Sequence, residues 1–329
     1  MGSTLGTDAR LILGSRRSAL ATRQAEWVAD RLRAVWPGLR IELVTFITRG
    51  DRRGDRPLPE IGGKGLFTAD LEAALLAREI DLAVHSLKDL PTASGTTSGR
   101  GLAPLAIPER EDPRDVLVTR RAGDGLAGLS PGDRVGTSST RRAGQLLHAR
   151  PDLRVISVRG NVETRLARLD AGAAEALVLA AAGLRRLGIE RPGAVPLDTT
   201  GWLPAPGQGA LAVQGRTDDS RTRELVAPID HPATRAETTA ERALLAALEG
   251  GCHTPVAALA RARGAVLGLR AAVYDPSGRR APIRGEASGT ADDADALGRE
   301  LAARLLEDGA SRLVAAGAGD EGGSPGGAS

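Results

Sequence analysis

Short apolar runs alternate with amphipathic stretches along most of the chain. Arg10 to Gly14 reads as a first strand, followed by the turn Ser15-Arg16-Arg17-Ser18. A helix from about Ala19 to Val35 carries Leu20, Trp27, Val28, Leu32 and Val35 on one face, and Pro37-Gly38 stops it. Arg40 to Thr48 is a second strand, so the chain opens as a β-turn-α-β unit of a parallel sheet. Residues 49–65 are rich in Gly, Pro and charge and too long for an idle connection, which predicts a lid from Arg49 to Lys64. Leu66 to Arg78 reads as a helix with Phe67, Leu71, Ala74 and Leu75 inward. It delivers the chain to an apolar run, Ile80 to Val84, suited to a buried strand. That run ends in His85, Ser86, Lys88 and Asp89, and Pro91 forbids continuation of the ladder.

The pattern then repeats. Leu102 to Ile107 is apolar, and Pro108-Glu-Arg-Glu-Asp-Pro113 marks a crossing into a second unit. Val116–Thr119, Asp133–Gly136, Leu153–Val158 and Ala176–Ala180 read as its strands. Gly201 to Ala210 is a turn-rich return crossing, after which Leu211 to Val213 rejoins the first sheet. Two crossings predict two similar αβ domains joined by a double hinge with a cleft between them. Beyond about residue 230 the pattern changes. A helix over Thr234–Glu249 is stopped by Gly250-Gly251. Strands over Val256–Ala262 and Ala265–Tyr274, a turn at Asp275-Pro-Ser-Gly278, a third strand and a closing helix from Ala291 to Glu307 follow. These make a small α+β domain with helices on one face of an antiparallel sheet. The expected division is 9–108 plus 206–229, then 109–205, then 230–314, with flexible tails at 1–8 and 315–329.

Composition narrows the class. A hydrophobic content of 41% with 26% charge describes a soluble globular protein. No run is long enough to span a membrane, and the small polar N-terminus is no secretory signal. The single cysteine, Cys252, excludes an internal disulfide framework and fits a reducing cytoplasm. The four histidines are scattered without the spacing of a metal site. A pI near 9.7 suggests nucleic acid, but the net charge is only +3 and the aromatic residues are too few for a stacking platform. Scattered arginines that converge in space on a small polyanion are the better fit.

Three features carry candidate chemistry. Of 44 basic residues only two are lysines, Lys64 and Lys88, so a compact ammonium has been kept where every other cation is a planar guanidinium. Lys88 also falls at the carboxyl end of a strand, where open α/β sheets bind ligands. Thr137-Ser-Ser-Thr-Arg-Arg142 opens a helix with hydroxyls and two cations, opposite in sign to what the helix dipole favours; together with free N–H groups these predict an anion site. The following strands also end in arginine: Arg159, Arg165, Arg185 and Arg186. Cys252, between Gly-Gly and His253-Thr-Pro, sits on a loop and not in a packed element.

Taken together the chain resembles the porphobilinogen deaminase (hydroxymethylbilane synthase) family from about Leu11 to Ala310. The resemblance rests on Gly-Ser-Arg-Arg-Ser-Ala-Leu-Ala (14–21), Thr-Arg-Gly-Asp (48–51), Gly-Gly-Lys-Gly-Leu-Phe (62–67) and Ala-Val-His-Ser-Leu-Lys-Asp (83–89). It continues through Glu-Arg-Glu-Asp-Pro-Arg-Asp (109–115), Val-Gly-Thr-Ser-Ser-Thr-Arg-Arg (135–142), Arg-Gly-Asn-Val-Glu-Thr-Arg (159–165), Gly-Gln-Gly-Ala (207–210) and Leu-Glu-Gly-Gly-Cys (248–252).

This resemblance implies two periplasmic-binding-protein-like αβ domains plus the small C-terminal domain. It implies a cytoplasmic, monomeric transferase of tetrapyrrole (haem-type porphyrin) biosynthesis. Such an enzyme joins four porphobilinogen molecules head to tail, releases four ammonia, and frees linear 1-hydroxymethylbilane. The chain grows on a dipyrromethane cofactor, made from the substrate and held by a thioether to Cys252, without metal, nucleic acid or membrane. Asp89 matches the catalytic carboxylate: it stabilises the azafulvenium left when ammonia departs and moves protons, with Lys88 keeping it ionised and holding a substrate carboxylate. Each pyrrole brings an acetate and a propionate, for which Arg16, Arg141, Arg142, Arg159, Arg165 and Arg186 are suited partners. Ser18, Ser86, Thr137, Ser138 and Ser139 add hydrogen bonds, Gln208 lines the hinge, and Lys64 and Phe67 belong to the lid. Arg17 beside Arg16 and His253 beside Cys252 depart from the common pattern and touch none of these roles. The competing reading is a non-catalytic two-domain binding protein for a small polycarboxylate, which would gain nothing from Asp89 or Cys252.

Overall fold

A computed structural model describes residues 10–48, 68–92, 101–120, 123, 125–248 and 254–314. The first sheet is built from β1 (Arg10–Arg16), β2 (Arg40–Phe46), β3 (Leu82–Ser86), β4 (Leu102–Ala106) and β10 (Leu211–Arg216), in the order β2-β1-β3-β10-β4. The second contains β5 (Asp115–Thr119), β6 (Arg134–Gly136), β7 (Arg154–Ile156), β8 (Ala176–Ala180) and β9 (Ala194–Pro196), in the order β7-β6-β8-β5-β9. The two orders are equivalent. In each sheet four strands share one direction, and the fourth position is taken, antiparallel to both neighbours, by the strand that has just crossed from the other domain: β10 in the first, β5 in the second.

The expected strand at Ile80–Val84 begins and ends two residues later, at Leu82–Ser86. The ladder to β10 sets this frame, pairing Ser86 with Leu211 and His85 with Ala212. Asp81, just before β3, instead accepts the backbone N–H of Ile12 at 2.8 Å. The strand expected over Leu153–Val158 pairs only through Arg154–Ile156, because β6 beside it is itself three residues long. A short strand, β9, and a helix at Ser220–Val226 were not expected.

Helix α1 (Ala19–Val35) buries Ala21, Ala25, Val28, Ala29 and Leu32 against the first sheet; Val35, expected on this face, is exposed at its end. Helix α2 (Ala69–Leu76) packs Leu71 and Leu75 on the other face, with Ile80 and Ala83. In the second domain α3 (Thr140–Ala149), α4 (Val162–Asp170) and α5 (Ala181–Arg186) each follow a strand. After α6 (Ser220–Val226), the long helix α7 (Pro232–Ala247) packs with α8 (Ala294–Glu307) on one face of the antiparallel sheet β11 (Val256–Arg263), β12 (Val266–Val273) and β13 (Ile283–Thr290). The two helices approach closely at Gly298, where a Cβ would lie 2.3 Å from the Ala240 carbonyl oxygen.

The two crossings touch. Glu111 N–H donates to the Gly209 carbonyl at 3.2 Å. Gly209 has φ +90°, and a Cβ there would lie 2.3 Å from the Glu111 oxygen, so any other residue would be strained and would force the crossings apart. The lid, the Cys252 loop and the tails expected from sequence lie outside the described residues.

Candidate active site

The carboxyl ends of the parallel strands gather the expected polar groups. Arg16 closes β1, and Ser18 caps α1, its hydroxyl accepting the Ala21 N–H at 3.3 Å. Ser86 closes β3 and exchanges hydrogen bonds with the Gln24 amide of α1. The chain then makes a single 3-10 turn, Leu87–Asp89, that presents Lys88 half-buried and Asp89 to solvent. Arg16, Ser18, Ser86 and Asp89 line one small pocket with His85, Gln24 and Thr68. His85 is buried against Gln214 at 2.9 Å, and burial pushes its pKa down to about 4, so the ring is neutral near pH 7.

On the opposite domain the hydroxyls serve the helix entrance. The Ser139 hydroxyl accepts the Arg142 N–H at 3.4 Å, Thr137 accepts the Ser139 N–H, and Ser138 bonds Ser157 and the Val158 carbonyl. The arginine pair has an internal partner. Arg141 and Arg142 are buried, and both guanidiniums close on Asp115, at 2.8 Å and 2.7 Å. Asp115 lies there because two buried guanidiniums at a helix entrance need a counter-charge whether or not an anion is bound. The Nε of Arg141 is buried without a hydrogen-bond partner.

Asp115 is the group that sequence reading missed. It is fully buried at the start of β5, the first strand after the outward crossing. Besides the two arginines it accepts the Trp202 indole N–H at 2.8 Å and the Gln208 amide at 2.9 Å. Burial pushes its pKa up, but Arg141 and Arg142 more than reverse this and hold the carboxyl well below the usual range. The signal was present: two cations in a helix's first turn, and one acid opening an otherwise apolar strand.

Gln208 joins the two halves. Its Nε2 donates to Asp115 and to the Pro113 carbonyl, while its Oε1 accepts from Lys88 Nζ at 3.1 Å. Lys88 of the first domain is thereby tied through the return crossing to the Asp115 cluster of the second. Arg186, at the end of α5, donates to the Gly209 carbonyl at 2.7 Å, so it too is anchored to that crossing. Arg165 donates to the Gly160 carbonyl and interacts electrostatically with Arg142, Asp89 and Arg159.

The cations share one electrostatic condition. Burial, then the nearby charge of Arg142, lowers the Lys88 ammonium to about 8 despite Asp89 and Asp115. Burial, then Arg142, lowers Arg165 to about 10 despite Asp89; burial lowers Arg186 to about 10 as well. Cations held in this state gain from an added anion, so the donor set is suited to a ligand carrying several carboxylates. Lys64, Phe67 and Cys252 lie outside the described residues.

Comparison with known proteins points the same way. A family model described as "Porphobilinogen deaminase, dipyromethane cofactor binding domain" matches residues 11–224, and "Porphobilinogen deaminase, C-terminal domain" matches residues 235–307. Curated relatives named porphobilinogen deaminase include that of Acidothermus cellulolyticus, 52% identical over 93% of this chain and 91% of that protein. The Moorella thermoacetica protein is 51% identical over 92% and 95%, and that of Syntrophobacter fumaroxidans 46% over 94% and 98%. Among solved structures, the methionine-binding protein MetQ aligns with a TM-score of 0.41 at 14% identity, covering 67% of this chain and 89% of that one.

Proposed function

The chain belongs to the porphobilinogen deaminase family, and from that premise we propose that the strand ends around Lys88 and Asp89 are where porphobilinogen units are bound and joined. The observation that carries this reading is the pair of buried cations Lys88 and Arg165, both depressed although Asp89 lies near each and Asp115 near Lys88. A site for a neutral or cationic ligand would not keep so much positive charge out of water.

The dipyrromethane group of the family, with two acetates and two propionates, fits this donor set. When bound it supplies the primer pyrrole to which new units are added, and Cys252 is its proposed point of attachment. Arg16, Arg159, Arg165 and Arg186, with Ser18, Ser86, Ser138 and Ser139, hold carboxylates. Arg141 and Arg142 act chiefly by fixing Asp115, and with it Gln208 and Lys88. Asp89 handles the proton chemistry: its carboxylate accepts the pyrrole N–H, balances the positive charge left when ammonia departs, and takes the proton from the reacting α-carbon. The lobes are those set by the two crossings, 9–108 plus 206–229, 109–205 and 230–314. The chain is read as a cytoplasmic monomer; its single cysteine supports the reducing compartment.

Ammonia release from porphobilinogen by the purified protein tests this reading, and its pH dependence tests Lys88. A folded pKa near 8 means the free site loses a cation as pH rises through 8. The expected result is a fall in kcat/KM of about tenfold per pH unit above that point. Lys88→Arg, whose guanidinium holds its proton to higher pH, should move this limb up towards about pH 10. Binding of porphobilinogen without ammonia release would instead favour the passive polycarboxylate binder. An alkaline limb unchanged in Lys88→Arg would remove Lys88 from substrate binding.

A further inference from the structure

The turn that carries Lys88 and Asp89 is held from two sides. On one side lies the return crossing: Leu87 N–H donates to the Ala210 carbonyl at 3.0 Å. A Cβ on Gly207, whose φ is +75°, would meet Leu87 and the Lys88 nitrogen at 3.3 and 3.4 Å. On the other side is a residue from the C-terminal domain. Arg242, on α7, donates from one guanidinium nitrogen to the carbonyls of Leu87, at 3.1 Å, and Leu90, at 2.8 Å, and from the other to the Pro91 carbonyl at 2.8 Å. These carbonyls sit at the exit of a one-turn helix, where exposed C=O groups favour a cation. The guanidinium reaches all three at once through its two terminal nitrogens.

The neighbouring residue makes a parallel contact. Glu241 takes a bidentate pair from Arg110 of the outward crossing, at 2.7 and 2.9 Å, and accepts the Gly207 N–H of the return crossing at 2.7 Å. Consecutive side chains of one helix therefore grip the hinge and the Asp89 turn, and that helix ends a few residues before Cys252 in sequence.

We propose that Arg242 is a positioning residue: by clamping the carbonyls of Leu87, Leu90 and Pro91 it fixes Asp89 relative to the helix that leads to Cys252. This rests on the reading of Asp89 as the proton-handling carboxylate. Arg242 itself touches no reacting atom; without it the turn keeps its anchor on Ala210 but loses the one from the C-terminal domain. A displacement of about 1 Å is enough to cost on the order of a hundredfold in rate.

The test uses the full-length holoprotein with Arg242→Gln and Arg242→Lys, each alone and with Asp89→Ala. The expected result is a graded loss of kcat, about tenfold for Lys and up to about a hundredfold for Gln, with KM for porphobilinogen within about twofold. The intact mass and melting temperature should stay near wild type. With Asp89→Ala present, Arg242→Gln should add little, because the residue it positions is gone. Full kcat in Arg242→Lys and Arg242→Gln overturns the proposal. So does a rate loss that follows a missing cofactor mass or lowered melting temperature, or one that persists in full beside Asp89→Ala. If Arg242→Gln does not fold, the Lys variant decides alone: wild-type kcat there is a refutation. A fully active Asp89→Ala would refute the Asp89 reading instead, whatever Arg242 does.

Discussion

Asp89→Ala should lower turnover by roughly two to four orders of magnitude while leaving the folded protein intact. Asp89 is exposed on a turn whose backbone is held by Ala210 and Arg242, so the fold does not depend on its carboxylate. Surface substitutions of this kind change stability by about 0.5 kcal/mol or less. The chemistry does depend on it. It is the acid that the charges of Lys88 and Arg165 both feel, and no other carboxylate lines the pocket of Arg16, Ser18 and Ser86 among the described residues. The measurement is a single-turnover rate beside a thermal melt. Unchanged melting with a rate near wild type would remove Asp89 from the mechanism.

Asp115→Asn should act in the opposite way, on stability first. Asn keeps the shape and can still accept from Trp202, but it leaves Arg141 and Arg142 buried without their counter-charge. Breaking a buried pair from one side costs about 3–5 kcal/mol, far more than a surface ion pair. The loss should also reach function, because Gln208 and through it Lys88 are oriented by the same carboxylate. The pH dependence has a definite sign. The folded pKa is depressed, so the contribution of Asp115 is present above the unfolded value near 3.9 and is lost only as pH falls towards the much lower folded value. Wild type should therefore hold this advantage over Asp115→Asn at pH 5 as fully as at pH 7. Urea unfolding of both proteins checks it. A difference below about 1 kcal/mol, or one that vanishes between pH 7 and pH 5, would show that Asp115 is not the keystone of the arginine cluster.

The two αβ domains were legible because apolar runs and turn residues mark strands locally, and because Pro108–Pro113 and Gly201–Ala210 interrupt that pattern twice. The small C-terminal sheet was legible from the alternation Leu267, Leu269, Ala271, Val273, all inward in the structure. Strand ends were less so: β3 slides by two residues because its register is set by β10, far away in sequence. In the site, the types of residue could be read but their internal partners could not. Arg141 and Arg142 stood out as cations of the wrong sign for a helix entrance, yet their bond to Asp115 spans 26 and 27 residues. Arg242 looks like one more solvated arginine of an amphipathic helix; its contact with Leu87 lies 155 residues away and leaves no local trace.

On the proposed reading, this chain builds a tetrapyrrole on a primer fixed to Cys252. Intact-mass measurement of the purified protein beside Cys252→Ser tests it most directly, before and after addition of porphobilinogen. The expected result is a wild-type excess equal to two linked pyrroles, absent from Cys252→Ser, and further one-pyrrole steps when substrate is added. A wild-type protein at its bare sequence mass that gains nothing from porphobilinogen, or a Cys252→Ser protein carrying the same excess, would contradict it.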